Sequence, residues 1–172
     1  MHSIGFPPIA RRDARVLVLG SLPGRASLAA QEYYAQPQNA FWRIMGDALG
    51  AGRELAYAER VRRLREARVA VWDVCHSAHR PGSLDAKIRR DTIVANDFAA
   101  FLARHRRIAR ILFNGATAEA LYRRLVLPGL ETRARRIATT RLPSTSPAHA
   151  SLRYATKLRR WSEALADALG DG

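Results

Sequence analysis

The stretch VLVLGSLPGRASLAAQEYYAQPQNAFW, residues 16–42, decides the fold and contains the first candidate site. Its four leading apolar residues, Val16–Leu19, predict a buried strand. The strand runs into the turn Gly20–Gly24, where glycine permits unusual backbone angles and the close approach of a ligand. The aromatic and carboxamide side chains that follow are Tyr33, Tyr34, Asn39, Phe41 and Trp42. Flat aromatic faces beside a carboxamide suit a pocket for a planar heterocycle, so we expect the active site here.

The composition predicts one globular domain. Of the 172 residues, 48% are hydrophobic and 26% are charged, which is typical of a soluble protein with a sizeable core. No apolar run approaches the roughly 18 residues that a membrane span needs. Residues 1–15 lack the apolar centre of a signal peptide, so we expect a cytosolic protein. Cys75 is the only cysteine, which excludes an internal disulfide and any four-cysteine metal site.

The chain is strongly basic, with 29 lysines and arginines against 15 aspartates and glutamates and a formal net charge of +14. Only Lys87 and Lys157 are lysines. A domain this basic is expected to bind polyanions through phosphate contacts and counterion release. High-GC codon usage would explain arginine in place of lysine, but not the excess of cations over acids. We therefore expect a nucleic acid as the partner.

Apolar periodicity predicts alternating strands and helices. Strands are expected at Arg15–Leu19, Val69–Val74, Arg110–Phe113 and Arg136–Arg141. Helices are expected from a cap at Ser27 through Tyr34, and over Asn39–Leu49, Tyr57–Ala67, Asn96–His105, Ala116–Leu125 and a final amphipathic segment that ends at Leu169. Residues 1–13 look irregular, and His76–Leu84 is predicted to be a polar loop.

This order of elements predicts an α/β fold with a parallel sheet that is covered on both faces. Ligands of such sheets bind beyond the carboxyl ends of the strands. Polar motifs follow all four predicted strands, namely GSLPG, the segment from Asp73 to Asp85, Asn114-Gly115 and LPSTSP. We expect these four strand ends to converge on one site.

Signatures of other nucleotide-binding and hydrolase folds are missing. The sequence has no GxGxxG, no GxxxxGK[ST] and no GxSxG, which argues against a dinucleotide fold, a P-loop enzyme and an α/β-hydrolase. His76 and His79 share one predicted loop but lack a carboxylate-rich partner segment. We expect no metal and no cofactor.

Four motifs, one at each strand end, carry a family resemblance. They are GSLPGRASLAAQEYYAQPQNAFW, VWDVCHSAHRPGSLD, LFNGATA and LPSTSPAHA. The chain resembles the uracil-DNA glycosylase superfamily and is most similar to its hypoxanthine-DNA glycosylase branch, family six. The resemblance implies a three-layer α/β/α domain with a central four-stranded parallel sheet. It also implies that a deaminated base is flipped out of DNA and removed by hydrolysis of its N-glycosidic bond.

The resemblance assigns the catalytic role to Asn39. Many superfamily members carry a catalytic Asp or Asn at the third position of the glycine-rich turn, but here that position is Leu22, which has no acid–base chemistry. In the hypoxanthine branch the asparagine of the PxNxFW segment is implicated instead, and here that residue is Asn39. We expect Asn39 to orient water or to stabilise the leaving base. The alternative is that Asn39 is only the N-cap of a helix beginning at Ala40.

The base-pocket residues that we expect are Gly20, Ser21, Leu22, Pro23, Tyr34, Phe41, Asp73 and Asn114. Tyr34 is the candidate for stacking on the flipped base, with Tyr33 or Phe41 as substitutes. An ordinary core position is the competing interpretation, and for Phe41 it is the favoured one.

Two polar candidates each have a structural alternative. Asp73 has a carboxylate that can accept a hydrogen bond from a base N–H, but pairing with Arg80 or Arg89 to order the loop is slightly favoured. Asn114 can both donate to and accept from a base edge. An equally weighted interpretation makes it a turn residue before Gly115.

LPSTSPAHA, residues 142–150, aligns with the loop that relatives insert into the duplex. Relatives often begin this loop with histidine, and here Leu142 replaces it. The DNA-binding residues that we expect in the loop are Ser144, Thr145, Ser146, Pro147 and His149. Hydroxyl groups can bind phosphates and the prolines stiffen a wedge. The alternative is a proline-bounded surface loop that caps the last helix.

No lysine stands in any motif. A lyase step through a Schiff base needs an amine nucleophile, so we expect a monofunctional glycosylase that leaves an abasic site. The alternatives that stay open are uracil excision by the same chemistry and a catalytically silent DNA-binding module. We expect a monomer that acts on damaged duplex DNA, with single strands as a further substrate.

Overall fold

The computed structural model describes residues 1–170 and contains two β-sheets. The strands in chain order are β1 (His2–Ile4), β2 (Val16–Gly20), β3 (Val69–Asp73), β4 (Cys75–His79), β5 (Arg89–Ala95), β6 (Arg110–Asn114) and β7 (Ala138–Leu142). The α-helices are α1 (Arg25–Ala30), α2 (Phe41–Leu49), α3 (Tyr57–Glu66), α4 (Phe98–Arg104), α5 (Ala116–Leu121), α6 (Thr132–Arg135) and α7 (Tyr154–Leu169). Within this described part of the chain, no helix has both the length and the apolarity that crossing a bilayer requires.

The central sheet has four parallel strands in the order β3-β2-β6-β7. Every residue of β2 and β3 is buried, because these strands lie inside the molecule with helices over both faces. This burial explains the continuous apolar run at Val16–Leu19, where a half-exposed strand would show alternation. The predicted α/β fold class is confirmed.

Alternate residues of β2 point to opposite faces and so reach two separate cores. Leu17 and Leu19 pack with the side chains of α4 and α5. Val16 and Val18 pack in the other core with α2, α3 and α7. The result is the three-layer α/β/α arrangement that the family resemblance implies.

The second sheet is antiparallel, has the order β1-β4-β5, and was not predicted. Its first strand, His2–Ile4, lies in the segment 1–13 expected to be irregular. Its middle strand, Cys75–His79, covers the first four residues of the expected loop 76–84, and β5 was missed altogether. These strands carry no apolar run, and their pairing depends on residues far apart in the chain, such as His2 opposite His79. Local periodicity therefore could not detect them.

Helix ends also differ from the prediction. The first helix covers Arg25–Ala30 with Gly24 at its N-cap, so Ser27 is an interior residue. The Ser27 hydroxyl oxygen accepts a hydrogen bond from the Ala35 backbone N–H at 3.1 Å. This bond ties the segment that follows the helix back to the helix. Helix α2 begins at Phe41 and not at Asn39, and α5 passes at Tyr122 into a π-helical turn.

Candidate active site

One cavity of about 770 Å³ lies at the carboxyl ends of the central strands. All four predicted strand ends contribute to its wall. The sequence-predicted residues that line it are Gly20, Ser21, Leu22, Pro23, Tyr34, Asn39, Asp73, Asn114, Ser144, Thr145, Ser146, Pro147 and His149. Phe41 is the one predicted pocket residue that does not line it.

The buried end of the cavity, which we call the floor, consists of Gly20, Tyr34 and Asp73. A Cβ atom at Gly20 would lie 2.5 Å from Asp73 Oδ1 and 2.9 Å from the Tyr34 hydroxyl oxygen. Gly20 ends β2 without a left-handed backbone, so the position needs glycine for space and not for conformation. The glycine lets the carboxyl and the phenol approach the end of β2 together.

Tyr34 has a left-handed backbone, with φ of 53°, and its ring stacks on Phe41 with centroids 4.1 Å apart. Phe41 is fully buried and also packs edge-on against Trp42, with centroids 4.9 Å apart. Because Phe41 opens α2 on its core side, it supports Tyr34 from behind and does not line the pocket. Burial, and next the charge of Asp73, raise the pKa of Tyr34. Within residues 1–170, the Tyr34 hydroxyl has no hydrogen-bond partner.

Asp73 ends β3 and is 4% exposed. Burial, followed by repulsion from Asp85, raises the pKa of Asp73 to about 7, against a lowering by Arg80. The ion pairs expected for Asp73 are not formed, because Arg80 pairs with Asp85 at 3.8 Å and Arg89 pairs with Asp91 at 3.5 Å. Among the residues that the structure describes, Asp73 Oδ2 has no hydrogen-bond partner. A buried carboxyl without a protein partner is a candidate for binding a polar ligand.

Residues 80–88 connect β4 to β5 and form one edge of the cavity, which we call the rim hairpin. The Arg80 guanidinium is 1% exposed and donates to the carbonyls of Leu22, at 3.4 Å, and Pro23. Asp85 pairs with Arg80 and also accepts from the Ser21 hydroxyl at 2.6 Å. These contacts tie the rim hairpin to the turn after β2.

Asn39 lies at the start of α2 and lines the cavity. Its side-chain Oδ1 accepts from the Phe41 backbone N–H at 3.0 Å. The N-cap of α2 is Ala40, which makes no side-chain cap hydrogen bond, so the N-cap role considered for Asn39 is not present. Asn39 instead forms a turn just before the helix through this bond to the residue two positions on. The carboxamide oxygen of Asn39 is therefore occupied by the Phe41 N–H, while the residue still forms part of the cavity wall.

Asn114 and Thr145 hold each other through two hydrogen bonds of 2.9 Å. Asn114 Nδ2 donates to Thr145 Oγ1, and the Thr145 backbone N–H donates to Asn114 Oδ1. The pair fixes the orientation of the carboxamide at the end of β6. Thr145 is 1% exposed, so its hydroxyl faces inward and is not free for a phosphate as predicted. Gly115 has φ of 93°, so the turn interpretation of this dipeptide also describes the backbone.

The loop 143–149 is anchored from three sides. Trp161 Nε1 donates to the Pro143 carbonyl at 3.0 Å, and Lys157 Nζ donates to the His149 carbonyl at 2.7 Å. The Ala40 backbone N–H donates to the Thr145 carbonyl at 3.0 Å, which links the loop to the start of α2. These contacts hold the segment at the edge of the cavity.

The comparisons with known proteins agree with this geometry. The model of the uracil DNA glycosylase superfamily matches residues 7–169. The chain belongs to this superfamily. A protein named hypoxanthine DNA glycosylase from Methanosarcina acetivorans is 36% identical over 146 residues, covering 84% of this chain and 87% of that protein. One of the same name from Methanosarcina barkeri is 34% identical over 67% of this chain and 72% of that protein.

A solved structure extends the likeness to the whole fold. The solution NMR structure of a candidate uracil DNA glycosylase from Methanosarcina acetivorans superposes with a TM-score of 0.79 at 32% identity. It covers 98% of this chain and 99% of that chain. The suspected superfamily is thus confirmed, and the relatives named hypoxanthine DNA glycosylase agree with the branch that the motifs indicated.

Against the pattern of the superfamily, two apolar side chains take positions where many members carry catalytic groups. Leu22, in the turn after β2, is 6% exposed and lines the cavity. Leu142, at the end of β7, is 5% exposed and packs in the core of α2 and α7. Neither side chain can supply a proton or orient water.

Several cavity residues were missed from the sequence. They are Arg25, Ser83, Leu84, Ala86, Arg90 and Thr117. Most belong to the rim hairpin or to β5, which the sequence analysis did not predict. Arg25 directly follows the predicted turn. Its cationic side chain beside a glycine-rich motif could have marked it as a cavity residue from the sequence.

Proposed function

We propose that the protein is a DNA glycosylase that flips hypoxanthine out of DNA and hydrolyses its N-glycosidic bond. The observation that carries the proposal is the floor of the cavity, where an aromatic ring lies beside a buried carboxyl whose Oδ2 has no hydrogen-bond partner within residues 1–170. The two similar proteins named hypoxanthine DNA glycosylase support the choice of base. The net charge of +14 suits a DNA backbone.

Base recognition is assigned to Tyr34, Asp73 and Asn114. Hypoxanthine has adjacent N1–H and C6=O groups along one edge. A carboxyl whose pKa is about 7 exchanges its proton near neutral pH, so it can accept from the N–H and, when protonated, donate to the carbonyl. Asn114, held by Thr145, presents a carboxamide of fixed orientation to the same space. Tyr34, supported by Phe41, supplies the stacking surface.

The bond cleavage is assigned to Asn39 and the turn after β2. As the C1′–N9 bond breaks, its electron pair passes to the base and the sugar becomes oxocarbenium-like. Asn39 orients the water whose oxygen bonds to C1′ or donates to the anionic base, and backbone amides of the turn add to the stabilisation. The water loses a proton and the base gains one, which gives free hypoxanthine and an abasic site.

The enzyme is proposed to be monofunctional. In the described range 1–170, no lysine lines the cavity, and the amine of Lys157 is bonded to the His149 carbonyl. A Schiff base therefore has no nucleophile at the site. Borohydride should trap no covalent protein–DNA adduct, and a trapped adduct would contradict this part of the proposal. We further propose a monomer that works in the cytosol on damaged duplexes and single strands.

Two variants of Asn39 test the catalytic assignment. Asn39→Ala removes both the acceptor for the Phe41 N–H and the carboxamide, whereas Asn39→Asp keeps the acceptor and removes only the amide donor. We expect Asn39→Ala to lose hypoxanthine excision by about a hundredfold or more. Asn39→Asp should retain the thermal stability of the wild type and separates the two roles, because a carboxylate can still orient water but cannot donate to the leaving base. Unchanged excision by Asn39→Ala would leave Asn39 with a structural role alone.

Uracil excision is the second candidate, because the matching family model describes uracil DNA glycosylases. Uracil has the same N–H and carbonyl arrangement along one edge of a smaller ring. Duplexes and single strands that contain one hypoxanthine or one uracil, scored for alkali-labile breaks, separate the two substrates. No break with any of them would favour a DNA-binding module without catalysis.

A further inference from the structure

Flipping a nucleotide leaves a gap in the base stack, and DNA-binding proteins commonly fill such gaps with an apolar side chain. The loop 143–149 carries no apolar side chain larger than proline, and the exposed Leu152, which follows it before α7, does not line the cavity. Its Thr145 faces inward, and the hydroxyls of Ser144 and Ser146 accept backbone N–H groups within the loop. This loop is therefore poorly equipped to fill the gap by itself.

The opposite edge of the cavity offers such a side chain. Strands β3 and β7 are the two outer strands of the central sheet. The loop 143–149 leaves β7, whereas the rim hairpin extends from β4, which follows β3. Leu84, in the rim hairpin, is 51% exposed and also lines the cavity, so it stands at the cavity edge that faces the loop.

Leu84 is exposed although its neighbours are held in place. On one side, Ser83 Oγ accepts from the Arg25 backbone N–H at 2.8 Å. On the other side, Asp85 accepts from Ser21 and pairs with Arg80. The hairpin therefore presents the leucine from a fixed backbone.

Two cations line the same cavity as this position. Arg25 and Arg90 are exposed, and the Arg25 backbone is hydrogen-bonded to Ser83, the neighbour of Leu84. Phosphate contacts by such arginines would hold the duplex backbone at this cavity. An exposed apolar side chain at a cationic cavity is suited to act as a wedge in a DNA groove.

We propose that Leu84 enters the duplex from the rim hairpin and fills the space that the flipped nucleotide leaves. This inference rests on the proposed function, and it adds a second contact to the loop 143–149 on the other side of the site. Leu84 is thus a positioning residue for duplex substrates, and a single strand, which has no stack to maintain, does not need it.

The test compares Leu84→Ala with Leu84→Met and with the control Leu125→Ala. Leu125 is 39% exposed and does not line the cavity. Single-turnover excision is measured on one hypoxanthine-containing sequence, as a single strand and as a duplex. We expect Leu84→Ala to lose about tenfold to a hundredfold on the duplex. It should change by less than about twofold on the single strand. Leu84→Met should restore most of the duplex rate, and Leu125→Ala should match the wild type.

A second readout does not need catalysis. A 2-aminopurine placed beside the hypoxanthine reports unstacking when the protein binds, and fluorescence anisotropy confirms that the duplex is bound. Leu84→Ala should bind with a smaller 2-aminopurine signal than the wild type. Equal losses on both substrates, or an unchanged duplex rate and signal, would overturn the inference. If the wild type excises no base, the proposed function fails, and the 2-aminopurine signal still decides the role of Leu84.

Discussion

The floor of the cavity and the rim hairpin face the same space but are held by different forces. Two of the floor's three residues, Gly20 and Asp73, end strands whose residues are all buried, and the floor is so crowded that Gly20 has no room for a methyl group. Within residues 81–88, by contrast, only Ile88 is buried, and polar contacts centred on Arg80 hold the segment. Under the proposed function, the chemistry would lie on the buried sheet, and the duplex contact would lie on a surface segment that a small set of polar contacts holds in place.

Gly20→Ala should have the largest effect, because it acts on the floor directly. The new Cβ would meet the Asp73 carboxyl at 2.5 Å and the Tyr34 hydroxyl at 2.9 Å, and the buried strand leaves little room to adjust. We expect excision to fall by about a hundredfold, since small displacements of reacting groups have effects of this size. Gly129→Ala is the matched control, because nothing lies within 4 Å of its Cβ. Equal activity of the two variants would show that the floor is not crowded.

Asp73→Asn tests the charge in the floor. The pKa of Asp73 is raised to about 7 from an ordinary value of 3.8, so this group's stability contribution is complete below pH 4 and is lost as the pH rises through 7. Between pH 5 and 8 the wild type should lose on the order of 2–4 kcal/mol of unfolding free energy through this group. Asp73→Asn should flatten that profile. The exposed Asp91→Asn is the control, and a profile that both variants share would remove Asp73 as its cause.

The same contrast explains what the sequence could and could not predict. Three of the central strands, β2, β3 and β6, were found because burial on both faces leaves an apolar run such as Val16–Leu19. The rim hairpin was missed because the strands that it connects, β4 and β5, carry mostly polar and charged residues and pair with register shifts, so they show neither an apolar run nor a regular alternation. The polar candidates at the strand ends were found by position, but their partners were not. Whether Asp73 forms an ion pair could not be decided from the sequence, because the answer depends on where Arg80 and Asp85 lie in the folded chain.

Arg80→Met should loosen the rim hairpin and leave the floor folded. The variant keeps much of the side-chain volume but removes the donors to the Leu22 and Pro23 carbonyls and the partner of Asp85. We expect about a tenfold loss of excision on duplexes. Hydrogen exchange should become faster in β4 and β5, with β2 and β6 unchanged. Arg89→Met, which removes an exposed ion pair with Asp91, is the control. Faster exchange in every strand would show that the two regions open as one unit.

Val94→Thr should have the smallest effect and marks where the small sheet meets solvent. Val94 lies in β5 and is 54% exposed, so its replacement should change the unfolding free energy by less than about 0.5 kcal/mol. Val18→Thr places the same hydroxyl in the fully buried β2, where an unpaired polar group costs roughly 1–3 kcal/mol. Urea denaturation of both variants gives the two values on one scale. A loss at Val94 as large as that at Val18 would mean that the outer face of β5 is covered in solution, and the rim hairpin would then be as firmly held as the floor.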